Sequence, residues 1–175
     1  SETRHNIGRA IVTAFAKMHK VIFSFNKKWN ADTGEGKIGK KKFVLLLPET
    51  FMNASGKAVG PATRFYNIKP ATVILLHDDA DLLFGRAKIS FNKNSGGHKG
   101  VESVIRALKT ESFYRFRLGI QKKKRVEAEK LVLQKFSPQE RKRVASVTKR
   151  TVATLALFLG EGPDAAMNNY NIATP

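Results

Sequence analysis

Hydrophobic and polar positions follow three patterns along the chain, and each pattern predicts a kind of element. Near the start, apolar side chains recur at spacings of three and four, which indicates a helix whose apolar face is formed by Ile7, Ile11, Phe15, Met18 and Ile22. Continuous apolar runs at 43–47 and 73–76 are too short for helices and predict strands, the second buried on both faces. Side chains of alternating character at 116–120 predict a third strand, and residues 87–91 predict another short one.

The segments between these patterns predict turns, loops and further helices. A polar stretch with glycines at 26–36 predicts a loop, and residues 36–42 predict a strand and a basic turn ahead of the strand at 43–47. Helices are expected at about 50–66, 101–109 and 163–171. Ser137 and Glu140 form a capping box with Pro138 at the first helical position, which predicts a helix to about Leu159. One α/β domain over residues 1–175 is therefore expected.

A large excess of positive charge restricts the classes of partner. The chain has 32 Lys and Arg against 14 Asp and Glu, a formal charge of +18, so a polyanion is expected unless the charge serves solubility alone. Nucleic acid is favoured over a membrane because no stretch reaches the roughly 18 apolar residues of a spanning helix. The chain has no cysteine, which fits an intracellular, reducing compartment. A start at Ser1 without a leader predicts that an upstream segment was processed away or left out.

Candidate chemistry lies in three places along the chain. His77, Asp78 and Asp79 follow the strand at 73–76, the end at which open α/β sheets bind ligands. The loop 92–100 contains three glycines, two lysines and one histidine. His5 precedes the first helix, where unpaired N–H groups and the helix dipole favour a neutral imidazole, the form that a general base requires. Taken alone, each feature is more typical of a turn, a cap or a surface residue than of a functional site.

A metal-dependent hydrolase is a further interpretation of the acidic segment. His77, Asp78, Asp79 and Asp81 are the residues that such an enzyme would use as ligands. Adjacent residues of an extended chain point to opposite sides, and no other segment supplies a ligand set, so this interpretation is disfavoured.

Seven motifs are spread in order over nearly the whole chain. They are TRHNIG at 3–8, PETFMNASG at 48–56, HDDADLLFG at 77–85, SGGHKG at 95–100, RLGI at 117–120, KFSPQER at 135–141 and AMNNYN at 166–171. Together they resemble peptidyl-tRNA hydrolases of the bacterial and organellar type, a specific match because it does not rest on one motif. The resemblance implies a mixed, mostly parallel sheet surrounded by helices. It also implies cleavage of the ester between a peptide and the terminal ribose of tRNA, without a metal or other cofactor.

The resemblance assigns roles to individual residues. His5 is implied to be the base that activates water, and Asp78 the carboxylate that orients it. We therefore expect an imidazole nitrogen of His5 within about 3.5 Å of an Asp78 carboxylate oxygen. Asn53 matches a substrate-binding asparagine and is expected to help stabilise the oxyanion. Further substrate contacts are expected from Phe51, Met52, His98 and Lys99.

Two features depart from the family pattern. Family members begin with a strand and a Gly-Leu-Gly-Asn-Pro-Gly turn, and this chain starts just after them, so the first strand is expected to be missing from the sequence. Lys99 stands where the family has a substrate-binding asparagine. A lysine cannot accept a hydrogen bond, but it can hold a phosphate.

The positive charge is expected to form one face that leads to His5 and grips RNA phosphates. The residues expected there are Lys99, Arg106, Lys122, Lys123, Lys124, Arg125, Arg141 and Lys149. The partner would be tRNA, with ribosomal RNA and ribosomal proteins as further candidates. The alternative function is a non-catalytic homologue that binds RNA in a ribosome, in ribosome assembly or in intron splicing. A mitochondrial location is favoured, with the bacterial cytoplasm and the chloroplast as alternatives.

Overall fold

Six strands and six α-helices make up the structure, a computed structural model that describes residues 3–172; Ser1, Glu2 and 173–175 lie outside the described residues. The strands are β1 (Ser24–Asn26), β2 (Ala31–Ile38), β3 (Lys41–Pro48), β4 (Ile74–Leu83), β5 (Ala87–Phe91) and β6 (Tyr114–Gln121). The helices are α1 (Ile7–Met18), α2 (Gly56–Phe65), α3 (Lys99–Leu108), α4 (Ala128–Val132), α5 (Pro138–Glu161) and α6 (Pro163–Ile172). Among residues 3–172, no helix combines the length and apolar character that a membrane span requires.

Helix α1 forms where the apolar pattern predicts it but ends earlier. Ile7, Ile11 and Phe15 are buried in the main core, as predicted. Lys20 adopts the left-handed conformation (φ 55°), and the N–H of Val21 donates to the carbonyl of Ala16. This arrangement ends a helix because the turned backbone satisfies its last carbonyls. The prediction that Ile22 belongs to the apolar face is therefore wrong, and its side chain is 88% exposed.

The first sheet contains the segment that was predicted to be a loop. β1, β2 and β3 pair antiparallel in that order, and β2 begins at Ala31, so residues 31–35 are a strand rather than a loop. Gly34 misled the prediction, because it allows close packing rather than a turn: a Cβ there would lie 2.6 Å from the Val21 side chain. The predicted basic turn is present between β2 and β3, with Gly39 at φ +57°.

The second sheet has the order β4–β6–β5 and holds the parallel pair of the described chain. β4 and β6 run parallel, whereas β5 pairs antiparallel with β6. The α/β class and the mixed pairing are confirmed. The other three strand pairs among residues 3–172 are antiparallel, and within the first sheet the short connections allow only this arrangement.

A cavity of about 730 Å³ separates the two sheets. Consecutive residues of β3 and β4 line it, and in the described chain each of these strands is hydrogen-bonded to a neighbour on one side only. Ile74, Leu75 and Leu76 are consequently half-buried, which corrects the prediction of a strand buried on both faces. Ionisable residues 77–81 also lie within β4 rather than after it, so the strand itself carries the candidate chemistry.

Helices α5 and α6 at the end of the chain pack on the main core. The capping box of Ser137 and Glu140 is confirmed, and α5 extends to Glu161. The predicted final helix is α6, from which the Asn171 side chain bonds the backbone N–H and carbonyl of Ile89. This pairing covers the outer edge of β5 with a side chain instead of another strand.

Candidate active site

A short 3₁₀ turn and the first turn of α1 bring His5 against β4. The turn spans Arg4–Asn6, so the prediction that His5 lies at the helix start is confirmed. Helix and strand are in direct contact at Gly8, where a Cβ would lie 2.4 Å from the carbonyl oxygen of Leu76. Only glycine permits this approach, which brings His5 within reach of the next residues of β4.

His5 and Asp78 form a hydrogen-bonded pair across these two elements. His5 Nδ1 lies 2.7 Å from Asp78 Oδ1, inside the distance expected from the sequence. The Asp78 side chain is 2% exposed and that of His5 is 23% exposed. Because a carboxylate accepts, His5 donates from Nδ1, and its Nε2 is left as the nitrogen that can take a proton.

His98 binds the same carboxylate oxygen. It is the N-cap of α3, where its Nδ1 accepts the N–H groups of Gly100 and Val101 at 3.1 and 3.3 Å. The ring proton is therefore on Nε2, which donates to Asp78 Oδ1 at 3.0 Å. The sequence assigned His98 to substrate binding, and its position shows a contact with Asp78 that this assignment did not include.

Two donors decide the charge of Asp78. Burial acts to raise the pKa of this carboxyl, but the hydrogen bonds from His5 and His98 outweigh burial and hold the pKa well below its ordinary range. Asp78 is therefore ionised at neutral pH and able to stabilise a cationic imidazole.

The residues on either side of Asp78 are engaged within the structure. His77 is buried, and its Nδ1 donates to the carbonyl of Asp78 at 2.7 Å. Burial lowers the pKa of His77 to about 3. Asp79 accepts from Arg117 Nε at 2.6 Å, and Asp81 pairs with Arg125 at 2.9 Å. These partners occupy the acids that the metal interpretation would use.

His5, Asp78 and His98 form the one group of possible metal ligands within residues 3–172, with ligand atoms inside 4.8 Å. To ligate through Nε2, a neutral His98 ring would need its proton on Nδ1, which faces two backbone N–H groups. These side chains therefore fit a hydrogen-bond network rather than a metal centre.

Arg4 was missed by the sequence analysis and holds the turn that carries His5. Its side chain is 1% exposed and forms two hydrogen bonds with the Glu140 carboxylate, at 2.6 and 2.7 Å. Its guanidinium also lies 4.7 Å from the centroid of the Phe136 ring. The capping box at the start of α5 thus anchors the turn next to His5, a link that no local sequence signal indicates.

Of the other predicted substrate contacts, Met52 lines the cavity, whereas Phe51, Asn53 and Lys99 are exposed and do not line it. Met52 lines the cavity beside His5, Asp78 and His98, and its sulfur lies against Gly100. Asn53 is exposed in the 3₁₀ turn Met52–Ala54, and Phe51, just before it, is 88% exposed. α2 begins only at Gly56, later than predicted, so Asn53 is not its N-cap.

The predicted RNA-binding residues are exposed and lie on several elements. Lys99 pairs with Glu129 at 3.1 Å, and Lys122 donates to Gln134 at 2.7 Å. Arg106 lies on α3, Lys122, Lys123, Lys124 and Arg125 follow β6, and Arg141 and Lys149 lie on α5.

Comparisons with known proteins agree with this geometry. The family model for peptidyl-tRNA hydrolase matches residues 1–175. A peptidyl-tRNA hydrolase of Trichodesmium erythraeum is 38% identical over 181 residues, covering 99% of this chain and 83% of the relative. One from Mycobacterium tuberculosis is 34% identical, covering 98% and 90%. The crystal structure of peptidyl-tRNA hydrolase from Acinetobacter baumannii matches with a TM-score of 0.90 and 28% identity, covering 97% of this chain and 87% of that chain. The chain thus belongs to the peptidyl-tRNA hydrolase family.

Proposed function

We propose that this chain hydrolyses the ester bond between a peptide and the terminal ribose of tRNA, with His5 as general base and Asp78 as its orienter. The observation that supports this proposal most directly is the 2.7 Å hydrogen bond between His5 Nδ1 and Asp78 Oδ1, which leaves Nε2 available to a water molecule. One domain over residues 1–175 would carry this activity.

The geometry supports a simple sequence of proton transfers. His5 Nε2 takes a proton from water while the water oxygen bonds to the ester carbonyl carbon, and Asp78 stabilises the resulting imidazolium. The tetrahedral intermediate then expels the ribose oxygen, which takes the proton back from His5. The products are a free peptide acid and tRNA with its terminal hydroxyl restored. Assistance by a general base of this kind raises the rate about 10²- to 10⁴-fold, so the rest of the rate enhancement must come from stabilisation of the oxyanion.

Substrate contacts are assigned to residues around the cavity. Asn53 would donate its amide to the ester oxygen, as the family resemblance suggests. Met52 presents a thioether beside the pair, and Phe51, the preceding residue, has an exposed ring; both are surfaces that suit a peptide of varied sequence. Lys99 would leave Glu129 to bind a phosphate, because an exposed ion pair contributes little stability.

The basic residues are proposed to hold the tRNA. An exposed set of eight cations supports this: Lys99, Arg106, Lys122, Lys123, Lys124, Arg125, Arg141 and Lys149. Ribosomal RNA and ribosomal proteins are proposed as additional partners on the strength of the +18 charge. The compared relatives are bacterial, and a mitochondrial location remains a proposal that cell fractionation tests.

Hydrolysis of N-acetyl-aminoacyl-tRNA by the wild-type chain and by His5→Ala tests the function. We expect His5→Ala to lower kcat by at least about 10³-fold while tRNA affinity changes less than about three-fold. His19→Asn, a change at the far end of α1, is the matched control and should retain activity. Tight tRNA binding by the wild type without hydrolysis would contradict the proposal and support the non-catalytic RNA-binding alternative.

A further inference from the structure

We propose that His98 is a positioning residue for the His5–Asp78 pair: it fixes the Asp78 carboxylate from the start of α3 and limits how strongly that carboxylate holds a protonated His5. This inference rests on the proposed roles of His5 and Asp78. It assigns His98 a function other than the substrate contact expected from the sequence.

The His98 ring is fixed on both sides. Nδ1 accepts two backbone N–H groups at the start of α3, and Nε2 donates to Asp78. The side chain is 12% exposed, so water competes little for either nitrogen. Flipping or protonating the ring would break the cap, because a protonated Nδ1 would face two donors. His98 therefore presents a permanent N–H to Asp78 from a rigid helix end.

His5 and His98 share one acceptor atom. Both donate to Asp78 Oδ1, at 2.7 and 3.0 Å. A carboxylate oxygen that already accepts a strong hydrogen bond is a weaker partner for a second cation. With His98 in place, Asp78 still orients His5, but it stabilises the imidazolium less than an otherwise unpaired carboxylate would. His5 is then neutral, and competent as a base, over a wider range toward acidic pH.

The groups that face His98 are few. His5 lies with its ring centroid at 5.4 Å, His77 at 4.8 Å, and Asp78 lies in hydrogen-bond contact. His77 is held neutral by burial and carries no competing charge near neutral pH. The neighbouring Lys99 is directed to Glu129. Asp78 is thus the group through which a change at His98 would reach His5.

Two substitutions separate the two bonds of His98. His98→Asn can still cap α3 with its side-chain oxygen, but it is too short to reach Asp78. His98→Gln places an amide N–H where Nε2 stands and can donate to Asp78. We expect His98→Asn to lower kcat about ten-fold, to leave KM within about two-fold, and to move the midpoint of the acidic limb of the pH–rate profile upward by about half to one pH unit. His98→Gln should restore most of kcat and return that midpoint toward the wild-type value.

The outcomes discriminate between the two roles of His98. A raised KM with an unmoved acidic limb in His98→Asn would overturn the proposal and support a substrate contact. Equal loss in both variants with no shift of the acidic limb would show a purely structural role. Long-range ¹H–¹⁵N spectra of the imidazoles provide a test without turnover: we expect an Nε2–H tautomer for His98, and a titration of His5 that moves to higher pH in His98→Asn. An Nδ1–H tautomer would refute the inference even if the wild type hydrolyses its substrate. If the wild type is inactive, the proposed function fails, and the spectra still decide the role of His98.

Discussion

The buried His77 makes the stability of the fold sensitive to mild acid. Its Nδ1 donates to the Asp78 carbonyl, and its Nε2 has no hydrogen-bond partner among the described residues. Burial lowers the pKa of His77 from 6.5 to about 3. Because protonation charges the imidazole, the lowered pKa means that the unfolded chain binds this proton more readily than the folded chain. The folded state therefore keeps its full stability above the unfolded pKa of 6.5 and loses stability as pH falls from 6.5 toward 3.

The size of this loss follows from the two pKa values. Between pH 7.5 and pH 5.0, the unfolded chain takes up almost one proton at this residue while the folded chain takes up almost none. The linkage relation then gives a loss of about 2 kcal/mol in the free energy of unfolding. His77→Asn places an amide N–H where Nδ1 stands, so it can donate to the same carbonyl, and it does not titrate. This variant should therefore lack the pH-dependent component.

Urea unfolding at the two pH values, followed by the fluorescence of the buried Trp29, measures the effect. The quantity compared is the change in unfolding free energy between pH 7.5 and pH 5.0, so any constant cost of the substitution cancels. Contributions from the other titrating groups are common to both proteins. We expect the wild type to lose about 2 kcal/mol more than His77→Asn. Equal losses in the two proteins would refute the reasoning.

Three further predictions concern the site and its surroundings. Gly8→Ala should lower kcat about 10²-fold, because the added Cβ would push α1 away from Leu76 and so move His5 away from Asp78. Gly160→Ala is the control: its Cβ would meet only the Ile38 side chain, at 3.9 Å, so kcat should not change. Lys99→Asn restores the family residue and should retain or raise kcat/KM; a large loss would show that this chain depends on the cation. Replacing Lys123 and Lys124 by Ala should reduce the slope of log tRNA affinity against log salt by about 1.5, as measured by filter binding, and an unchanged slope would exclude both from phosphate contact.

The elements that the sequence predicts well are those with a strong local pattern. The capping box of α5, the buried face of α1 and the strand at β5 depend on side chains close together in sequence, and the structure confirms each. The first part of β2, residues 31–35, was missed because a glycine in a strand indicates a loop when its packing partner is not yet known; for Gly34 that partner is the Val21 side chain. The end of α1 was missed because Lys20 is not a residue type that usually adopts positive φ.

The candidate site was predictable as a set of residues but not as a network. His5 and Asp78 are 73 positions apart, and only the seven motifs together connect them. The sequence offers no sign that His98 donates to the same oxygen, because its tautomer depends on two backbone N–H groups of α3. The contact of Arg4 with Glu140 was missed for a similar reason. The two residues are 136 positions apart, and the role of Glu140 in the capping box of α5 gives no reason to expect a second partner. Long-range pairing of this kind is decided by packing rather than by local pattern.

The cavity between the two sheets has a consequence for deuterium exchange. β3 and β4 bond to β2 and β6 on one side, and their remaining amides face the cavity, whereas β6 is paired on both sides. Alternate amides of β3 and β4 should therefore exchange fast while their immediate neighbours exchange slowly. This alternation in exchange rate, with a period of two residues, should be absent from β6. Asp78 belongs to β4, so a molecule that enters the cavity and bonds that strand would slow its fast amides and also restrain the carboxylate on which His5 depends.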